Sequence, residues 1–147
     1  MNYEEHAVGG LVSATIVTTG VAYYTRNIVL SVISFVMTLF MSLYPDMDTG
    51  SKSRRYITLL GVLSIGYLVY TGSGYLLEAI YISSLLIIPG LFKHRGFTHT
   101  LLFGGIISYF IYYISSTFID ASYIYFIIPG VIGELTHLIL DKHIRLI

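Results

Sequence analysis

The sequence predicts an all-α, polytopic membrane protein, and three observations support this fold class. Hydrophobic residues make up 55% of the 147 residues, and charged residues make up only 11%. A soluble domain carries about 25% charged residues, so a water-soluble chain of this composition would expose large apolar patches. The apolar residues also fall into six runs that short polar stretches separate. We therefore expect a bundle of about six membrane-spanning helices that forms a single membrane-embedded domain over residues 1–147.

The six predicted spans differ in length and polarity. In chain order they cover residues 7–24, 28–45, 56–71, 75–92, 98–118 and 121–141. Several lie near the lower limit of about 17 residues for a helix that crosses a bilayer. The third run is the shortest and the first is the most polar, so a five-span or partly re-entrant arrangement is the alternative. The N-terminus is acidic and no cleavage site follows the first run, which therefore reads as a membrane helix rather than a signal peptide.

Lysine and arginine residues in the short loops predict the orientation of these spans. Six spans place the 46–55 loop, the 93–97 loop and the C-terminal tail on one side of the membrane, together with the N-terminus. These segments hold every Lys and Arg of the chain except Arg26, which lies on the opposite side. Cytoplasmic loops are enriched in Lys and Arg. Both termini are therefore expected to be cytoplasmic, in the inner or plasma membrane of the cell.

Most of the other ionisable side chains gather at the span ends on this same side. The members of this predicted cluster are His6, Asp46, Asp48, His94, His99, Glu134, His137 and Asp141. The topology that brings them to one face rests on Lys and Arg alone, so their agreement is partly independent evidence. Ionisable groups at or inside the bilayer boundary are expensive and usually functional. The pattern predicts a shared site at the cytoplasmic membrane face.

The chemistry of the cluster points to a divalent metal. His137 and Asp141 are four residues apart and Glu134 is three residues before His137, so all three lie on one face of a helix. The Glu-x-x-His spacing is also found in di-metal carboxylate bundles. Cysteine is absent, which excludes thiolate ligands. We expect one or two ions, with zinc first and manganese or iron as alternatives.

Some members of the cluster also have a purely structural interpretation. Asp46 and Asp48 are typical turn formers and could serve only the turn after Pro45. His6 alone would be at ease on a water-exposed surface. His99 and His137 are harder to explain in this way, because both lie at or inside the bilayer boundary.

Four stretches of the chain, taken together, resemble the YdjM family of small membrane-bound proteins interpreted as metal-dependent hydrolases. They are His6, LYPDMD at 43–48, HRGFTH at 94–99 and GELTHLILD at 133–141, and the resemblance covers essentially the whole chain. That family is distantly similar to the all-helical zinc-dependent phospholipase C and P1 nuclease group, which cleaves phosphoesters. The metal ligands that the resemblance implies are His6, Asp46, Asp48, His99, His137 and Asp141, with His94 as a ligand or as a hydrogen-bond partner of one.

The predicted function is a divalent-metal-dependent membrane hydrolase that acts on a phosphoester, such as a phospholipid or a lipid-linked phosphate. Glu134, which the family pattern does not assign, is the candidate general base. The planar fork of Arg95 is expected to hold the substrate phosphate and to neutralise its charge. The alternative is a metal-binding membrane protein without catalysis, either a transporter or a structural or regulatory module. The expected partners are membrane lipids; nucleic acid is not expected, because the net charge is zero.

Overall fold

The structure, a computed structural model, describes residues 3–48, 52–92, 96–116 and 119–141. Six α-helices and several 3-10 turns make up these residues, among which no β-strand occurs, so the all-α prediction is confirmed. The helices are α1 (Tyr3–Thr25), α2 (Ile28–Leu43), α3 (Lys52–Thr71), α4 (Leu76–Ile87), α5 (Leu101–Ser115) and α6 (Ile124–Leu140). Each predicted apolar run corresponds to one of these helices.

Two helical stretches, Glu4–Thr25 and Ile28–Met47, are long and apolar enough to cross a membrane. Leu77–Leu91, Leu101–Ser115 and Ile124–Leu140 are apolar helices of 10–17 residues, shorter than the ~20 residues of a typical span. Large apolar side chains are exposed on the outer faces of the helices, among them Ile16 at 68% exposure. A surface of this kind suits a lipid environment. The number of spans and the side of the termini stay predictions.

A tight reversal joins α1 to α2 and lays the two helices side by side. Arg26 adopts a positive φ of 49°, and the side-chain oxygen of Asn27 accepts hydrogen bonds from the backbone N–H groups of Val29 and Leu30. This is an N-cap, which satisfies donors that the first turn of a helix leaves open. A Cβ on Gly10 would collide with Ser42 Oγ, so glycine there allows the close approach of α1 to the end of α2.

Helix α2 lies at the centre of the fold and packs against both α1 and α6, while α5 also packs against α6. Its buried face carries a file of small hydroxyl side chains, namely Ser31, Ser34, Thr38 and Ser42. Small side chains on a membrane helix let neighbouring backbones approach closely. The result is that the ends of α1, α2 and α6 meet at one end of the bundle.

Two 3-10 turns complete that end of the bundle. The turn Tyr44–Asp48 continues α2, and the hydroxyl of Tyr44 donates a hydrogen bond of 2.6 Å to the carbonyl of Leu85 in α4. The turn Phe97–His99 precedes α5. Thr100 then caps α5, because its hydroxyl accepts a hydrogen bond of 3.1 Å from the backbone N–H of Phe103. Both turns are therefore fixed to helices, and each brings a candidate metal ligand to the same place.

Candidate metal centre

Four elements of the fold deliver ionisable side chains to one small volume. His6 comes from the first turn of α1, Asp46 from the turn after α2, and His99 from the turn before α5. His137 and Asp141 come from the end of α6. The three imidazoles are buried, with exposures of 2% or less, and the side chains of Asp46 and Asp141 are 17% and 6% exposed. Five of the eight predicted cluster members therefore meet in the fold.

Four of these five residues form a group that could hold a metal ion: Asp46, His99, His137 and Asp141, whose ligand atoms all lie within 4.8 Å of one another. His137 Nε2 lies 3.7 Å from Asp46 Oδ1 and 3.7 Å from Asp141 Oδ2. His99 Nε2 lies 3.9 Å and 3.8 Å from the same two oxygens. Ligands of a tetrahedral zinc ion are about 3.4 Å apart, given metal–ligand distances of ~2.0–2.1 Å. The four nitrogen–oxygen distances exceed this spacing by a few tenths of an ångström, so the group is close to the spacing that an ion requires.

Hydrogen bonds to the other ring nitrogens orient the two imidazoles of this group. His137 Nδ1 lies 3.0 Å from the backbone carbonyl oxygen of Ser42. A carbonyl only accepts, so Nδ1 carries a proton, and in the neutral form of the ring the Nε2 lone pair would face the carboxylates. His99 Nδ1 lies 3.1 Å from the Thr98 hydroxyl, which can accept in the same way. Histidine ligands of metals are typically fixed by a hydrogen bond of this kind.

The charge distribution also favours a bound cation. Asp141 and Asp46 share the same two histidine partners, His99 and His137. Two carboxylates directed at one point repel each other, and a cation between them relieves that repulsion.

His6 lies beside this group in a different relation to the carboxylates. Its Nε2 donates a hydrogen bond of 3.1 Å to Asp141 Oδ1 and lies 4.0 Å from Asp46 Oδ2. Its ring stacks on that of His137, with centroids 4.3 Å apart and an interplanar angle of 21°. The predicted ligand His6 is thus next to the four-residue group but not part of it.

Glu134 lies one turn before His137 on α6 and is fully buried. Neither of its carboxyl oxygens has a hydrogen-bond partner among the residues that the structure describes. Gly104 of α5 makes room for it, since a Cβ at that position would lie 2.7 Å from the Glu134 Cβ. Burying a carboxyl without a partner costs free energy, so such a group needs an explanation beyond packing.

Three predicted site residues cannot be placed in this way. His94 and Arg95 lie outside the described residues, and for Asp48 only the backbone, at the end of the turn Tyr44–Asp48, is described. Their roles stay predictions. Two groups that shape the site were not predicted from the sequence. The carbonyl of Ser42 carries no signal in a side-chain pattern, and Gly104 is one glycine among several that suggest helix packing.

Comparison with known proteins agrees with the family resemblance that the motifs suggested. A family model described as YdjM inner membrane protein matches residues 1–144, which include every element of the metal centre. We found no match among curated proteins and none among solved structures. The distant similarity to phospholipase C and P1 nuclease stays a prediction. The chain belongs to the YdjM family of inner membrane proteins.

Proposed function

We propose that this protein is a divalent-metal-dependent membrane hydrolase that cleaves the phosphoester of a phospholipid or of a lipid-linked phosphate. The observation that carries the proposal is the buried group of Asp46, His99, His137 and Asp141, whose ligand atoms converge from three elements far apart in the chain. Two nitrogen and two oxygen donors without a thiolate suit zinc first, with manganese or iron as alternatives. A divalent ion at this position would polarise a phosphoryl oxygen and lower the pKa of water.

Glu134 is our candidate for the group that accepts a proton from the attacking water. It is buried, its carboxyl oxygens have no hydrogen-bond partner among the described residues, and it lies one helical turn from His137. A general base needs a free acceptor oxygen within reach of the reacting water. Arg95 precedes the turn Phe97–His99 in the sequence, and we assign it the substrate phosphate because a guanidinium binds phosphate oxygens in pairs.

A mostly apolar groove supports a lipid as the substrate. A cleft of about 220 Å³ is lined by Tyr44 and Ile57, and it shares Leu60 and Leu85 with a groove of about 620 Å³ between α3, α4 and α5. Tyr44 belongs to the same turn as the candidate ligand Asp46, which links this cleft to the candidate metal centre.

The length of this groove fits one acyl chain. From Ile57 to Leu68 the groove follows twelve residues of α3, and the eleven steps between them span about 16 Å at 1.5 Å per step. One leaflet of a bilayer has a hydrocarbon thickness of about 15 Å, half of the ~30 Å core. A phosphoester at the metal centre could therefore place its chain along α3. The Lys and Arg distribution favours six spans with this site at the cytoplasmic face.

Metal content and phosphoester cleavage test the proposal together. Detergent-purified wild type and His137→Ala would be analysed for bound metal by mass spectrometry, then incubated with vesicles of phosphatidic acid and phosphatidylglycerol. Release of water-soluble phosphate is expected from the wild type only, together with loss of the ion in the variant. Asp46→Asn would be analysed in the same way, with Asp120→Asn as its matched control, because Asp120 is exposed and lies outside the group. Wild-type protein without stoichiometric metal would refute the proposal.

A structural or regulatory ion is the second candidate function, and one observation favours it. The four-residue group joins the ends of α2 and α6 to the turn before α5. An ion with four protein ligands and no open position would tie these elements together without catalysis. Bound metal without release of phosphate from either lipid would support this function over hydrolysis.

A further inference from the structure

The two aspartates of the metal centre divide their oxygens between two sides. Asp46 directs Oδ1 toward His99 and His137, at 3.9 and 3.7 Å, while its Oδ2 lies 4.0 Å from His6 Nε2. Asp141 directs Oδ2 toward the same pair, at 3.8 and 3.7 Å, while its Oδ1 lies 3.1 Å from His6 Nε2. Each carboxylate therefore presents one oxygen to the four-residue group and the other to His6.

His6 and His137 are parallel in this arrangement. Their ring centroids are 4.3 Å apart with an interplanar angle of 21°, and both Nε2 atoms face the same two carboxylates. The spacing between the rings is close to the ~3.5–4 Å between the ions of two-metal hydrolytic sites. Each imidazole is thus placed to serve a different ion.

We propose that His6 Nε2, Asp46 Oδ2 and Asp141 Oδ1 form a second divalent-cation subsite, which the two aspartates bridge to the first. The inference rests on the proposed function for the first ion and deepens it. The hydrogen bond between His6 Nε2 and Asp141 Oδ1 requires a proton on one of these two atoms. A cation at the second subsite would replace that proton, which would pass to solvent, and His6 would hold the cation through the Nε2 lone pair.

The two subsites differ in the number of protein ligands that the described residues supply. Among the described residues, the first subsite has four and the second has three. Zinc can expand from four to five ligands during a reaction, so a substrate oxygen could reach either ion. The subsite at His6, with fewer protein ligands, leaves more room for that oxygen.

Metal stoichiometry tests the second subsite. Purified wild type, His6→Ala and His6→Gln would be dialysed against zinc and analysed for bound metal. We expect two equivalents in the wild type and one in each His6 variant. One equivalent in all three proteins would overturn the second subsite, while phosphate release from the wild type would leave the proposed function standing. Two equivalents in the His6 variants would overturn the role of His6, and no metal in the wild type would overturn both proposals.

A spectroscopic measurement on the wild type tests the second subsite even if the His6 variants fail to fold. Protein loaded with manganese would be examined by electron paramagnetic resonance. Two Mn²⁺ ions bridged by carboxylates give an exchange-coupled spectrum, whereas an isolated ion gives a simple six-line signal. A coupled spectrum at full loading is the expected result. A six-line spectrum whose intensity stops increasing once one equivalent of Mn²⁺ is bound would overturn the second subsite.

Discussion

The contact between Gly104 and Glu134 predicts that one added methyl group will disturb the proposed catalytic carboxyl. A Cβ at position 104 would lie 2.7 Å from the Glu134 Cβ and 2.9 Å from its Cγ. The Glu134 Cβ is fixed by the α6 backbone and cannot rotate away, so α5 and α6 must separate. Overpacking of this kind costs about 1–3 kcal/mol. Gly104→Ala should therefore destabilise the protein and lower phosphate release, with little effect on bound metal.

The adjacent glycine supplies a matched control. Among the described residues, a Cβ on Gly105 would meet Val131 alone, at 4.0 Å, which is an ordinary contact. Both substitutions gain the same helix propensity of about 1 kcal/mol, so the difference between them isolates the contact with Glu134. Thermal unfolding in detergent should give a lower apparent Tm for Gly104→Ala than for Gly105→Ala. Equal Tm values and equal activities would refute the reasoning that a tight α5–α6 contact positions Glu134.

Three further predictions concern the metal centre and its supports. Asp46→Asn should weaken metal binding at least tenfold, because it removes the charge of one ligand. Asp120→Asn should leave metal binding unchanged, and calorimetric titration with zinc compares the two variants. Tyr44→Phe should cost about 1–3 kcal/mol of stability, because it leaves the buried carbonyl of Leu85 without its hydrogen bond; an unchanged Tm would contradict this. Chelation should lower the Tm and stop phosphate release, and zinc should restore both.

The helices could be predicted from apolar runs, but their ends depend on local chemistry. The run at 75–92 gives an α-helix that ends at Ile87, and a 3-10 turn with Pro89 follows. Proline lacks the N–H that would continue the helix. Counting apolar residues does not reveal this helix end. The run at 98–118 yields a helix only from Leu101, because Thr100 acts as the cap.

The metal centre was predictable in composition but not in geometry. Ionisable residues at span ends pointed to His6, Asp46, His99 and His137, because charge in a membrane segment is costly. The arrangement around them depends on atoms that a sequence pattern does not reveal. The Ser42 carbonyl that fixes the His137 ring is backbone, and the division of carboxylate oxygens between two sides follows from helix packing.

The metal centre joins residues that lie near opposite ends of the described chain, and this has a consequence for the timing of activity. His6 and Asp141 are 135 residues apart, so their meeting costs about 4 kcal/mol of loop-closure entropy. The packing of α1, α2 and α6 must supply that free energy before an ion can find its ligands. A chain still being inserted would lack the full ligand set, so under the proposed function it would not hydrolyse membrane lipids until the last helix is in place.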